Sequence, residues 1–254
     1  MKFTLLLFAI CATAHASSWT DHFSFDKIPN PPGSDPQVGA MDVMKDGRIA
    51  VAFHRGEVMF YDPAESSWSL FATGLQEPLG MLADDDGSIL VMQRAELTRL
   101  KDTDGDGSAD EYETVFDDFG MSGNYHEFAY GPARDAEGNL FIVLGIASNG
   151  APMAEEIRGE FSEVGLVDRE GMTSRKDWGK NKIKAGRMYS RVQWRGWVLK
   201  LSPDGKKMEP YASGFRSPNG IGFDSAGRLL ITDNQGDWRP TSPLYDVKQG
   251  GFYG

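Results

Sequence analysis

Short apolar runs alternate with polar turns along most of this chain, and one phrase of that alternation recurs. An aliphatic step leads into a polar turn ending in Gly and then into strand-forming residues: AMDVMKDGRIAVAF from Ala40, GMLADDDGSILVM from Gly80, FAYGPARDAEGNLFIVLG from Phe128 and IGFDSAGRLLITDN from Ile221. Inside the runs the period is two. Ile49, Val51 and Phe53 fall on one face and Ala50 and Ala52 on the other, the pattern of a strand buried on both sides. A weaker second phrase follows, GEVMFYDP from Gly56, AELTRLKDTDGDG from Ala95 and GWVLKLSPDG from Gly196, and a third element then leads into the next unit. Small alanines on one side and larger aliphatics on the other suit sheets packed face to face.

The turn glycines Gly47, Gly87, Gly138 and Gly227 step by 40, 51 and 89 residues. A propeller blade of four short strands takes ~40–50 residues, so the first step fits one blade and the last a blade carrying an insertion. The pattern predicts an all-β propeller over residues 40–254 with a loop insertion at 146–195. Only about three and a half units can be traced where a closed ring takes ~4–8, so the expectation is the N-terminal part of a longer ring. The insertion holds nine Lys or Arg between Arg169 and Arg195, readable as a solvated excursion or as a lid facing an anionic ligand. Within Pro152–Val164, a candidate helix would place Ile157, Phe161 and Val164 on one side.

Ahead of the repeats, residues 1–16 read as a secretory leader: Lys2, an apolar run from Phe3 to Cys11, and Ala14-His15-Ala16 as the cleavage site. That run is too short to span a bilayer, no other stretch is long and apolar enough, and a secreted or periplasmic address follows. Residues 17–39 read as an extended, proline-rich lead-in. Because Cys11 is the only cysteine, the mature chain would have neither disulfides nor thiolate metal sites. Loss of Lys2 takes the net charge from −11 to −12, which disfavours nucleic acid as a partner and favours cations.

One cation site is written out in full. DTDGDGSADEYE, from Asp102 to Glu113, matches the twelve-residue calcium pattern, with Asp102, Asp104 and Asp106 at places 1, 3 and 5 and Gly107 at 6. Ser108 offers its carbonyl at 7, Asp110 stands at 9 and Glu113 at 12. Leu97 to Leu100 and Tyr112 to Phe116 read as strands, so a Ca2+ ion here would pin a turn in the second unit, a structural role.

The segments SGNYHEFAYGPARDAEGNLFIVLG and YASGFRSPNGIGFDSAGRLLITDNQGDW resemble blades of the glucose/sorbosone dehydrogenase family, six-bladed propellers that use pyrroloquinoline quinone (PQQ) and calcium. DTDGDGSADEYETVF and TDNQGDWRPTSPLYDVKQGGFYG are most similar to its membrane-bound dehydrogenase branch, found in large secreted bacterial proteins that often carry a cytochrome c region. The resemblance implies oxidation of an aldose or related carbohydrate alcohol, with a cytochrome c as a possible electron acceptor. It also implies His126 as the base that removes the substrate's hydroxyl proton, a role an imidazole suits because its ordinary pKa is near neutrality.

Where the family has glycines after that histidine, this chain has Glu127 and Phe128. The family's Gly-x-Arg-Asn-Pro box is matched by Gly214 to Asn219, with Arg216 as the group that polarises quinone oxygens and Ser217 in place of Asn. Asn219, Asp233 and Asn234 stand near the same strand ends and complete the implied cofactor set. His126 also reads as a structural histidine and Arg216 as an interblade ion pair. His54 and Arg94 hold comparable places in the first two units, while Arg195 between Trp194 and Trp197 reads as packing. Two further functions stay open: a non-catalytic carbohydrate- or protein-binding propeller, and a calcium-dependent lactonase using Asn124, Asn219 and Asp233. No nucleophile elbow, Walker loop, dinucleotide fingerprint or haem-attachment motif occurs.

Overall fold

The computed structural model describes residues 19–33, 35–147, 156–159, 190, 192–235 and 240–254. It divides into two units, residues 1–30 and 31–254. Of the first, residues 19–30 are described and hold one short 3-10 turn, Trp19–Asp21. The second carries all the strands.

Strands β1 (Val38–Val43), β2 (Ile49–Phe53), β3 (Val58–Asp62) and β4 (Ser67–Ala72) form an antiparallel sheet in chain order. A second such sheet follows with β5 (Gly80–Ala83), β6 (Ile89–Met92), β7 (Leu97–Lys101) and β8 (Glu111–Phe116). Next come β9 (Met121–Ser122), β10 (Ala129–Arg134), β11 (Leu140–Leu144), β12 (Glu156–Arg158), β13 (Trp197–Leu201) and β14 (Met208–Ser213). Of these, β10, β11, β13 and β14 make the third sheet, while β12 pairs with β9 in a separate ribbon. Strands β15 (Gly220–Phe223), β16 (Leu229–Thr232) and β17 (Leu244–Val247) make the fourth, three-stranded sheet. The four sheets are blades of a β-propeller, and no α-helix occurs among the described residues.

Blades meet through their first strands, β1 against β5, β5 against β10 and β10 against β15. Period-two alternation in the middle strands then supplies two interfaces at once. In β6, Ile89 and Val91 pack with Ala50 and Ala52 of the first blade, whereas Leu90 and Met92 pack with Leu140, Ile142 and Leu144 of the third. In β11, Phe141 and Val143 turn the other way, toward Leu229 and Ile231 of the fourth. Strands buried on both faces must be apolar throughout, which explains the unbroken hydrophobic runs.

The recurring polar turn joins the first two strands of every blade. A carboxylate accepts a backbone N–H across it, from Arg48 to Asp46 at 3.0 Å, Ser88 to Asp86 at 3.0 Å, Asn139 to Asp135 at 2.7 Å and Arg228 to Asp224 at 2.8 Å. Its Gly sits at φ 92°, 88°, 87° and 75° in the four copies, a region side chains disfavour. Because neighbours are antiparallel, these turns and the β3–β4 and β7–β8 connections lie at one end of the blades. The β2–β3 and β6–β7 turns and the connections between blades lie at the other.

The insertion falls between β11 and β13, which pair directly. Its candidate helix is not borne out where it is described, since Glu156–Arg158 is strand β12, drawn into pairing by the edge of β9. Residues 1–16, Cys11 and most of the basic island lie outside the described residues.

Candidate functional site

His126 lies in the turn between β9 and β10, three residues before the strand opens. Asn124 shapes that turn: its side-chain Oδ1 accepts the His126 N–H at 3.0 Å and its carbonyl accepts the Glu127 N–H at 3.1 Å. The imidazole lies against the Tyr125 ring, centroids 3.8 Å apart. Burial, then the positive charges of Arg216 and Arg94, hold the His126 pKa below the ordinary imidazole value.

Arg216 lies in the connection from β14 to β15. Its peptide is fixed by the buried Asp233, whose Oδ2 accepts the Arg216 N–H at 2.8 Å and whose Oδ1 accepts those of Ser217 at 2.8 Å and Asn234 at 2.7 Å. The Arg216 carbonyl in turn accepts the Ile146 N–H at 2.8 Å. Gly145 is where the two turns converge: a Cβ built there would stand 3.4–3.5 Å from the carbonyl oxygens of Phe128, His126 and Arg216. The two predicted groups therefore share one end of the blades. Tyr130 joins them, buried, with its hydroxyl 3.3 Å from Ser217 Oγ and its pKa raised by that burial.

Arg94, in the β6–β7 turn, reaches the same place from the second blade. Its Nη1 donates to Glu77 Oε2 at 2.6 Å and to the Tyr125 carbonyl at 3.2 Å, and its Nη2 donates to the Asn124 carbonyl. The guanidinium also stands 5.4 Å from the Phe128 ring centre. The other oxygen of Glu77 lies 3.5 Å from His54 Nε2, so the His54 and Arg94 positions noted in the repeats are joined through a carboxylate. Glu77 was not anticipated. Its signal was present in the repeat itself, because GLQEPLG from Gly74 aligns with GFRSPNG from Gly214 and sets Gln76 and Glu77 against Arg216 and Ser217. Gln93 even reproduces the Asp233 contact, accepting the Gln76 N–H at 2.7 Å.

Glu127, which stands where the family that the sequence resembles has glycine, is withdrawn into the fold at 1% exposure. It accepts hydrogen bonds from the Ser122 N–H at 2.9 Å and hydroxyl at 2.7 Å and from the Ser190 hydroxyl at 2.8 Å. Arg195 is a packing residue, as its aromatic neighbours suggest, with its pKa brought down to about 10 by burial. It donates to the carbonyls of Gly120 at 2.8 Å, Glu127 at 3.0 Å and Phe128 at 3.1 Å. Asn219 and Asn234 are exposed, and Asn234 Oδ1 accepts the Gln235 N–H at 2.8 Å.

The acidic loop lies at the opposite end of the blades, in the β7–β8 connection. Oxygens of Asp102, Asp104 and Asp106 lie within 4.8 Å of one another, close enough to share one cation. Asp102 also accepts the Gly105 N–H at 2.7 Å and the Gly107 N–H at 2.9 Å, which wraps the loop around that carboxylate. Asp110 is turned instead to Thr103, accepting its N–H at 2.8 Å, and Glu113 sits on β8 beside Lys101 at 3.1 Å. Three of the expected carboxylates are thus brought together and two are not. A cleft of about 600 Å³ runs between this loop and the first turns of the first two blades.

A family model described as a domain of unknown function, DUF7133, matches residues 62–192. No curated protein matches the chain. Among solved structures, the PQQ-bound aldose sugar dehydrogenase of Streptomyces coelicolor is similar at 16% identity, covering 90% of this chain and 65% of that one, with a TM-score of 0.58. The soluble aldose sugar dehydrogenase of Escherichia coli, in its apo-form, is 13% identical over 86% of this chain and 62% of that one, with a TM-score of 0.51. A gluconolactonase of Xanthomonas campestris is 12% identical over 86% and 61%, with a TM-score of 0.50. At such identities the likeness is one of fold, and the chain spans less than two thirds of the length of each.

Proposed function

The chain belongs to the DUF7133 family, and on that footing we propose that it forms part of a PQQ-dependent dehydrogenase acting on an aldose or related carbohydrate alcohol. One observation carries this reading: an imidazole held below its ordinary pKa shares the end of the blades with two guanidinium groups. A base must be unprotonated before it acts, and burial with Arg216 and Arg94 nearby keeps His126 neutral. PQQ is a quinone bearing several carboxylates, and planar guanidinium donors match both its carboxylates and its carbonyl oxygens. The donor set therefore fits the group. Arg216 and Ser217 would hold it, with Asp233 fixing their peptides from behind and Asn219 and Asn234 exposed beside them.

When bound, the quinone supplies the acceptor for the hydride leaving the sugar carbon. His126 would take the hydroxyl proton as that carbon becomes a carbonyl. Asn124 aims the imidazole through the His126 N–H. The acidic loop, at the far end, would hold Ca2+ as a structural ion through Asp102, Asp104 and Asp106. We further propose a secreted or periplasmic protein of the membrane-bound dehydrogenase branch, cleaved after Ala16 and passing electrons to a cytochrome c. Lactone hydrolysis is less well supported, because the side-chain oxygens of Asn124 and Asp233 already accept backbone N–H groups.

The test is titration of the full-length protein with PQQ in the presence of calcium, followed by dye reduction with a panel of aldoses. The expected outcome is saturable quinone binding and turnover, with His126→Gln retaining binding and losing about 10²–10⁴-fold in rate. Absence of quinone binding overturns the proposal, and lactone turnover without it would establish the hydrolase instead.

A further inference from the structure

We propose that Arg94 is a positioning residue, a clamp from the second blade that fixes the turn carrying His126 in the third. This rests on the reading of His126 above for its purpose and on geometry alone for its existence. Arg94 is 7% exposed, and its guanidinium donates to two consecutive carbonyls, those of Asn124 and Tyr125. These are the carbonyls immediately before His126, and the first belongs to the residue whose side chain holds the His126 N–H.

Inside the turn Asn124 holds the His126 and Glu127 N–H groups, but the carbonyls of Asn124 and Tyr125 are held by a side chain from a neighbouring blade. The clamp does this across a blade boundary. Its other side is anchored by Glu77, a residue at φ 46° in the connection into the second blade. A side chain at positive φ is strained, and here it directs the carboxylate between Arg94 and His54. The chain of contacts runs from His54 through Glu77 and Arg94 to the His126 turn, and so ties three blades together at the proposed site.

Arginine suits the task because its planar fork spans two acceptors and a carboxylate at once; an ammonium has the charge without the reach. Charge and clamp can therefore be separated. Among the described residues, the charged groups bearing on His126 are Arg94 from the second blade and Arg216 from the connection into the fourth, with Glu77 beyond Arg94 and Asp233 behind Arg216.

The experiment uses the ligand-free chain, so it succeeds or fails independently of quinone or sugar. Amide exchange at His126 and Glu127 and the NMR titration of the His126 imidazole are followed in Arg94→Lys and Arg94→Gln. In both variants the two amides are expected to exchange at least about tenfold faster, while those of β6 and β11 keep their protection. The titration midpoint stays low in Arg94→Lys and rises in Arg94→Gln. If Arg94→Gln does not fold, Glu77→Gln, which keeps the guanidinium but loosens its anchor, should give the same acceleration. Wild-type exchange at His126 and Glu127 in the folded variants overturns the clamp, whereas an unmoved midpoint in Arg94→Gln removes only the charge of Arg94 from the imidazole. A confirmed clamp in a protein that binds no PQQ overturns only the proposed function.

Discussion

Arg216 acts in two separable ways at the residue scale, through its side-chain charge on His126 and through its backbone on the turn that Asp233 holds. Replacing the side chain with Met leaves the Asp233 contacts to the peptide in place and removes the charge. A base whose pKa is lowered stays neutral to lower pH, so the acid limb of kcat/KM in the wild type is expected below pH ~6.5, and Arg216→Met should move it upward. An acid limb that does not move would detach Arg216 from the base. That His126 and Arg216 stand at one end of the blades was legible from their places beside strand openings in the repeat. The repeat marked the place of Glu77 but not its contact with Arg94 or the clamping role of Arg94, because the groups joined lie 17 and 30 residues apart in sequence and meet only in the fold.

Strand positions were legible at the scale of the element because period-two alternation and the Gly turn set both the body and the end of each strand. The exception is instructive. Apolar positions at Ile157, Phe161 and Val164 fit a helical spacing, yet Glu156–Arg158 pairs with β9, since an open strand edge offers more to a three-residue segment than one helical turn can. The acidic loop divides in a similar way between motif and structure. Its pattern gives Glu113 the twelfth ligand position, whereas β8 holds that carboxylate beside Lys101 at 3.1 Å and Arg99 at 3.7 Å. Calorimetric titration should therefore show one calcium ion whose affinity falls at least about tenfold in Asp102→Asn and distinctly less in Glu113→Gln. At 100 times the dissociation constant such an ion adds about 2.7 kcal/mol of stability, visible as a rise of several degrees in Tm that EDTA reverses. No heat of binding and no shift in Tm would remove calcium from this loop.

How tightly the blades close is decided, for the whole molecule, by a few places where backbone meets backbone. A Cβ built on Gly80, at the start of β5, would lie 1.5 Å from the carbonyl oxygen of Gly131 in β10. No flexible side chain is there to give way. Asp84, at the end of β5, crosses the same boundary with Arg134 at 2.5 Å while holding Arg99 of its own blade at 3.6 Å. Neither contact could be read from the repeat, which marks where each blade begins but not which atoms of neighbouring blades touch; the count of blades was legible for the same reason that the contacts were not. Gly222, two residues into β15, meets nothing within 4 Å. Two chemically identical substitutions should therefore part company. Gly80→Ala must force β5 from β10 and is expected to cost about 1–3 kcal/mol, lowering Tm by roughly 2–4 °C for each of them, whereas Gly222→Ala should stay within about 0.5 kcal/mol. Equal melting temperatures for the two variants would mean that the second and third blades do not approach as closely as Gly80 and Gly131 require. The Arg94 clamp spans that same boundary, so Gly80→Ala should also quicken amide exchange at His126, linking the spacing of the blades to the order of the proposed site.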